Sequence, residues 1–284
     1  MQLILNILYL LIFREYSIQQ VLPTEMEKRM KFLQKRNINF SHISLMLCLA
    51  AVSQFSNQAW SSTSLSHSHG DGNISIAANA KCHASDWKGI SHFTAQIAKG
   101  VDGDTVKIIY KKQQYNVRLL SIDTPETHFM GKSQGYWGDV AAEKLTSWLP
   151  VGTTVEVGID AGNVCDRYGR MLGYIYKDGK NLNEEMLREC LAVMYCIYPS
   201  VDQCERFGNI TTQCMREKKG IFSDAELEIP YEWRRVMSNR DYEKWLVNLE
   251  TKKVYSPEQV SQVPVGKRIF FMKKSEIQDY LNQN

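Results

Sequence analysis

The chain has 284 residues, of which 44% are hydrophobic and 23% charged, with a formal net charge of +3. That is enough material for one large domain or two with a sizeable core. Residues 81–284 carry 28 Lys/Arg against 27 Asp/Glu, which excludes capture of a polyanion by bulk charge, so any anion site has to be built locally.

The N-terminal region, 1–59, reads as targeting sequence. Met26–Asn37 is basic, Ile43–Ser53 is apolar, and small residues follow as cleavage sites. The apolar run falls short of the roughly 20 residues a membrane span needs, which favours a cleaved signal over an anchor. Residues 1–13 are apolar without a basic lead, so Met26 or Met30 is an alternative start. Residues 60–89, with the Ser/His/Gly-rich stretch Ser61–Asn73, are expected to be a flexible linker. His67 and His69 there read as solvated rather than as metal ligands.

Cys48 lies in the apolar run, leaving Cys82, Cys165, Cys190, Cys196, Cys204 and Cys214. An oxidising compartment would let these six pair in any of fifteen ways. Reduced core cysteines are the alternative, above all for Cys190 and Cys196. No CxxC pair occurs, so zinc is not expected. Asn73 and Asn209 stand in glycosylation sequons, relevant only in a eukaryotic host.

From Ser91 the pattern predicts strands over 92–101, 104–111 and 114–122, with turns at Gly103 and at 111–114. Helical spacing over Gly135–Leu149 puts Val140, Leu145, Trp148 and Leu149 on one stripe, stopped by Pro150 and Gly152. Strands follow over 153–160 and 170–177, then a turn at Asp178-Gly179. Asn181 or Asn183 caps a helix running to Met194, and a last helix covers Val201–Lys219. Five short strands with these helices fit an α+β fold, a five-stranded oligonucleotide-binding-type β-barrel with three helices over 90–224. Residues 225–284, whose composition changes from "YEWRR" at Tyr231 onward, are expected to form a small β/α appendage whose role the sequence does not reveal.

Two strand ends carry acids. Asp102 and Asp104 flank Gly103, and Asp123 stands 19 residues beyond Asp104, before Thr124 and Pro125. An isolated Asp-Gly-Asp is usually turn chemistry. The paired strand-end carboxylates instead offer hard oxygens suited to Ca²⁺ or Mg²⁺. Arg118 lies five residues before Asp123, an odd spacing that puts the two on opposite faces of a regular strand. For both to serve one site the strand must end or turn near Ile122. Arg170 supplies a second guanidinium suited to phosphate, and Glu126 stands one short turn past the acids, placed to accept a proton from water.

"VDGDTV", "RLLSIDTPET", "DRYGR" and "GYIYKDGKNLNEEMLRECLA" together closely resemble the staphylococcal (thermo)nuclease family of Ca²⁺-dependent nucleases, over roughly Phe93–Ser223. The resemblance implies the barrel just described. It also implies Ca²⁺ held by Asp104, Asp123 and the Thr124 carbonyl, with Glu126 as general base. Arg118 and Arg170 would hold the phosphate, Tyr168 would lie near the terminal phosphate and Tyr195 against a base, with Asp102 as a supporting acid. The implied reaction is hydrolysis of DNA and RNA to 3′-phosphate and 5′-hydroxyl ends.

Three departures from the family pattern stand out. Cys190 replaces the family's usual glycine, the loop after Glu126 differs, and the appendage has no counterpart in the minimal member. The second base-packing tyrosine is left open between Ile197 and Tyr198. A non-catalytic nucleic-acid-binding barrel is the alternative function, but such a module has no need of acids where a polyanion docks. The expectation is an exported or periplasmic monomeric enzyme with no lasting membrane association.

Overall fold

The computed structural model describes residues 79–160 and 162–283. The expected targeting region and most of the expected linker lie outside the described residues. Strands β1 (His92–Gly100), β2 (Thr105–Tyr110) and β3 (Gln113–Leu119) form an antiparallel meander. β5 (Thr154–Ile159) pairs with β1, and β6 (Met171–Lys177) pairs with β5. A parallel pairing of β3 with β6, Val117 opposite Met171, closes the five strands into a barrel. The β2–β3 turn places Lys111 and Lys112 at positive φ (47° and 65°), a hairpin geometry usually given to Asn and Gly.

The barrel is filled by alternate residues of its strands, among them Ile97, Val106, Ile108, Val117, Leu119, Val157 and Ile175, all at most 1% exposed. Helix α1 (Tyr136–Trp148) adds Ala141, Leu145 and, just past its end, Leu149. Of the predicted stripe, Val140 and Trp148 are only half-buried. Helix α2 (Leu182–Arg188) is capped by Asn181, whose side chain accepts from the Asn183 and Glu184 N–H groups.

α2 is shorter than the predicted run to Met194. Cys190 takes a left-handed backbone (φ 57°) and is bonded to Cys214, which turns the chain out of the helix and lets Val193–Met194 (β8) pair with β4 (Ile122–Asp123). The residue found where the family has glycine thus occupies a glycine-like conformation. Helix α3 (Cys204–Glu217) ends on Lys218 at positive φ, close to the predicted stop.

Two expectations about organisation need correction. The stretch 79–89 is not free linker. Ala80 bridges to Tyr115, Cys82 is bonded to Cys165, and Trp87, 4% exposed, packs against Phe93, Tyr110 and Tyr115. Nor is 225–284 separable at 224. Its strands β10 (Trp245–Asn248), β11 (Val254–Tyr255) and β12 (Arg268–Phe271) form a sheet whose fourth member is β9 (Cys196–Ile197), from the nuclease-like region. A Cβ on Gly266 would meet the Gly208 carbonyl oxygen of α3 at 2.5 Å, so the two backbones meet at a distance only glycine permits. Helices α4 (Pro230–Met237) and α5 (Ser275–Gln283) complete the region.

All six cysteines of 79–283 are paired: Cys82–Cys165, Cys190–Cys214 and Cys196–Cys204. The pattern suits an oxidising compartment outside the cytoplasm. Among the described residues no helix is long and apolar enough to cross a membrane.

Two measurements check this account. Thiol titration of the denatured, unreduced chain from Lys81 to Asn284 should find no free thiol, and one or more per chain would contradict the pairing. A chain ending at Asp224 should unfold at lower urea concentration than the full chain, because β9 and Tyr198 lose β12 and Phe271. Equal midpoints would show the C-terminal region to be independent.

Candidate active site

The site is built where β3 breaks. Ser121 has φ 63°, so β3 ends at Leu119 and β4 restarts at Ile122, one residue ahead of the expected break and independent of the Thr-Pro pair. Buried Asn183 braces the break: its Oδ1 accepts from Ile175 N–H (3.1 Å), and its Nδ2 donates to the carbonyls of Leu120 (2.9 Å) and Gly173 (3.2 Å). Sequence reasoning saw Asn183 only as a possible helix cap. It ties α2 and β6 to the bend that brings Arg118 and Asp123 to one side.

Arg118, 9% exposed, donates from Nη1 to the Leu119 and Ile122 carbonyls (2.8 and 2.9 Å). Its Nη2 donates to Asp123 Oδ1 (2.6 Å) and lies 3.0 Å from Asp104 Oδ2. That same Asp104 oxygen accepts from the Thr124 N–H (2.9 Å) and hydroxyl (3.1 Å). The strands thus bring Asp104, Arg118, Asp123 and Thr124 into one buried cluster. Burial opposes ionisation of Asp104, but Arg118 and the Thr124 N–H outweigh it and hold its pKa below the ordinary carboxylate range.

Asp102 lies on the tight turn before β2, its Oδ1 accepting from the Asp104 N–H (3.1 Å). A Cβ on the intervening Gly103 would come within 2.7 Å of both Ala141 Cβ and Thr124 Oγ1, so only glycine lets the acid turn dock under α1 and beside Thr124. Burial and the adjacent Asp104 charge push the Asp102 carboxyl up to about 7, against the pull of Arg118.

The approach to this cluster comes from the C-terminal region. Arg234 of α4 donates from Nη2 to both oxygens of Asp123 (2.9 and 2.8 Å) and from Nη1 to Glu126 Oε1 (2.5 Å). Burial would depress the Arg234 guanidinium, but Asp123 and Glu126 outweigh that and drive its pKa well above the usual value. Burial also pushes Glu126 up, against Arg234. Arg234 was not singled out from sequence, although it is the first arginine of the "YEWRR" stretch. No local spacing connects it to acids 108 and 111 residues upstream.

The loop after Glu126 leans on the same helix. Gln134 donates to the Glu228 carbonyl (2.9 Å), and Phe129 lies 6.1 Å from Trp233 between ring centroids.

The remaining expected residues surround rather than join the cluster. Asp166 organises the Asp166–Arg170 loop, accepting from the Tyr168 and Arg170 N–H groups (2.9 Å each) and from Arg170 Nε (2.7 Å). Arg170 is paired with Asp166 rather than with the acids of the cluster, although its charge helps to lower the Asp104 pKa. Tyr168 is 63% exposed, with the Arg167 guanidinium 5.0 Å and that of Arg170 5.6 Å from its ring. Tyr195, expected to pack on a base, is stacked face to face with Tyr231 of α4 (4.9 Å, 12°). Tyr198 is likewise stacked on Phe271 (5.4 Å, 23°).

Buried acids and guanidiniums thus meet at a strand break of a small barrel, flanked by an exposed tyrosine between arginines. Comparison with known proteins identifies the family. The profile of the family described as "Staphylococcal nuclease homologue" matches residues 116–224. An "Uncharacterized endonuclease" of Escherichia coli O157:H7 is 34% identical over 140 residues, covering 49% of this chain and 83% of that protein. "Endonuclease YncB" of Bacillus subtilis (strain 168) is 28% identical over 204 residues, covering 67% and 93%. A "Micrococcal nuclease" of Shigella flexneri is 28% identical over 156 residues, covering 52% and 83%. The chain belongs to the staphylococcal nuclease family.

Asn183→Ala should lower unfolding free energy by about 1–3 kcal/mol, since it strands a buried N–H and buried carbonyls. An unchanged denaturation midpoint would show that the bend does not rely on this side chain.

Proposed function

We propose that the chain is an exported, Ca²⁺-dependent nuclease that hydrolyses DNA and RNA to 3′-phosphate and 5′-hydroxyl ends. The observation that carries this reading is the buried set Asp104, Arg118, Asp123 and Thr124 with Glu126 at its edge. Four carboxylates (Asp102, Asp104, Asp123, Glu126) meet two guanidiniums there, Arg118 and Arg234, among the described residues. Burial first, and then the neighbouring Asp104 charge, raises the Asp102 pKa.

No three His, Cys, Asp or Glu side chains are gathered as a preformed metal cluster among the described residues. The donors at hand are hard oxygens with an acid excess, which fits Ca²⁺. Asp104 and Asp123 would hold the ion by their carboxylates and Thr124 by its carbonyl. When bound, it would polarise a phosphoryl oxygen and stabilise charge developing there.

The protein's own groups do the rest. Arg170, set by Asp166, supplies a fork to the phosphate, and Arg118 adds charge from within the cluster. Glu126 takes the proton from a water as that water's oxygen bonds to phosphorus. The P–O5′ bond breaks, and the leaving oxygen takes a proton from solvent water to become the 5′-hydroxyl. Tyr168 borders the terminal phosphate, Tyr195 the base, and Asp102 steadies the acid turn. The Cys pairs support export, and the expected unit is a monomer.

The test incubates the chain from Lys81 to Asn284 with single-stranded DNA and RNA in Ca²⁺, in Mg²⁺ and in chelator, then identifies product ends. Ca²⁺-dependent cleavage leaving 3′-phosphates is expected. Binding without cleavage in any metal would instead favour a non-catalytic oligonucleotide-binding module. Glu126→Gln and Arg170→Ala should each lower kcat/KM by about 10²–10³-fold, as expected on losing a group that acts in the transition state. Wild-type rates in both would remove these residues from the chemistry.

A further inference from the structure

We propose that helix α4 is an internal occupant of the catalytic site, with Arg234 taking the place of the divalent cation and Tyr231 that of a stacked base, so that metal binding and seating of α4 oppose one another. The inference rests on the reading of Asp104 and Asp123 as Ca²⁺ ligands.

Asp123 is fully buried, and both its oxygens are engaged. Oδ1 accepts from Arg118 (2.6 Å) and Arg234 (2.9 Å), and Oδ2 accepts from Arg234 (2.8 Å). A Ca²⁺ ion ligated by those oxygens would sit about 2.3–2.6 Å from them. A bidentate guanidinium approaches along the same directions, and two cations in contact at a buried site repel strongly. Asp123 therefore serves Arg234 or the metal, but not both in this geometry. Arg234 also holds Glu126, the proposed base, through Nη1.

One helical turn earlier on α4, the Tyr231 ring covers Tyr195 at 4.9 Å and 12°. That is the face-on stack a nucleobase would make. A single short helix thus covers two separate elements of the proposed site, and both contacts mimic what the substrate complex would supply.

The helix is also built to lift. It spans eight residues, of which Pro230 is buried, Val236 exposed and the rest half-buried. Its first turn is tethered by Arg268, which donates to the Tyr231 hydroxyl and to Glu232 (2.6 Å each). The cluster of Val247, Ile269 and Phe271 on the β9–β12 sheet is packed without α4 residues, while Tyr231 reaches the Leu246 and Phe270 cluster from its edge. Lifting the helix breaks the Arg234 ion pairs, the Tyr231–Tyr195 stack and the ring contacts of Tyr231 with Phe270 and Trp233 with Phe129, and leaves the Ile269 and Phe271 cluster intact. Segments of this kind open at lower cost than the global fold. The apparent Ca²⁺ affinity is then the intrinsic affinity multiplied by the fraction of molecules with α4 lifted.

The test compares Ca²⁺ binding by calorimetry in the full chain, Arg234→Ala, Arg234→Gln and Arg235→Ala. Gln keeps amide donors for the two acids should the Ala variant fold poorly. Arg235 provides a charge control on the same helix, since its guanidinium lies 3.9 Å over Tyr242 rather than on the acids. Both Arg234 variants should bind Ca²⁺ about tenfold or more tightly, with Arg235→Ala unchanged. By reciprocity, Ca²⁺ should speed amide hydrogen exchange across 230–237 in the unmutated chain.

Equal affinity in all four proteins, equal tightening by Arg235→Ala, or unchanged exchange with Ca²⁺ bound would each overturn the competition while leaving the Ca²⁺ site standing. No Ca²⁺ binding in any variant would overturn both.

Discussion

Everything at this site depends on buried carboxylates meeting guanidiniums. Asp104 and Asp123 sit 5% and 0% exposed at the mouth of a small barrel, where an unpaired charge is costly. Arg118 answers both from within β3, and Arg234 answers Asp123 from a helix more than a hundred residues away. The break at Ser121, the brace at Asn183 and the close approach at Gly103 are the local devices that let those charges meet. The cluster still carries more acid than base, and that imbalance is the physical basis of the cation site proposed for the barrel end.

The C-terminal region changes how the barrel is read. It shares a sheet with β9, contacts α3 through a glycine pair and lends an arginine to the acids. Without that arginine, Asp123 would keep only Arg118 as a cationic partner among the described residues. Here a short helix provides a second guanidinium, paired with Asp123 and Glu126. The three disulfides serve a related end: Cys82–Cys165 ties the N-terminal stretch beside the Asp166–Arg170 loop, and Cys190–Cys214 fixes the end of α2 against α3.

Much of this was legible in the sequence, for stated physical reasons. The five barrel strands are β-branched and alternate, so their order and approximate limits follow from period and turn residues. The acids and arginines recur in linked blocks, and the fold brings Asp104, Arg118, Asp123 and Thr124 together. The sequence was silent where distance along the chain or a competing constraint decides. Nothing local marks Arg234 as a partner of Asp123, or Tyr231 as a partner of Tyr195. The α2 pattern runs on through "ECLAVM", but a disulfide and a left-handed Cys190 end it early. Residues 79–89 look like linker by composition, yet one disulfide and one buried Trp87 pin them to the barrel.

The most direct test of the central claim is a calorimetric Ca²⁺ titration of the chain from Lys81 to Asn284 beside its Asp104→Asn and Asp123→Asn variants. One ion per chain in the parent, with heat of binding lost in both variants and the fold retained by circular dichroism, is the result predicted. Ca²⁺ binding of parental stoichiometry and affinity in both variants would place the metal elsewhere and contradict the account.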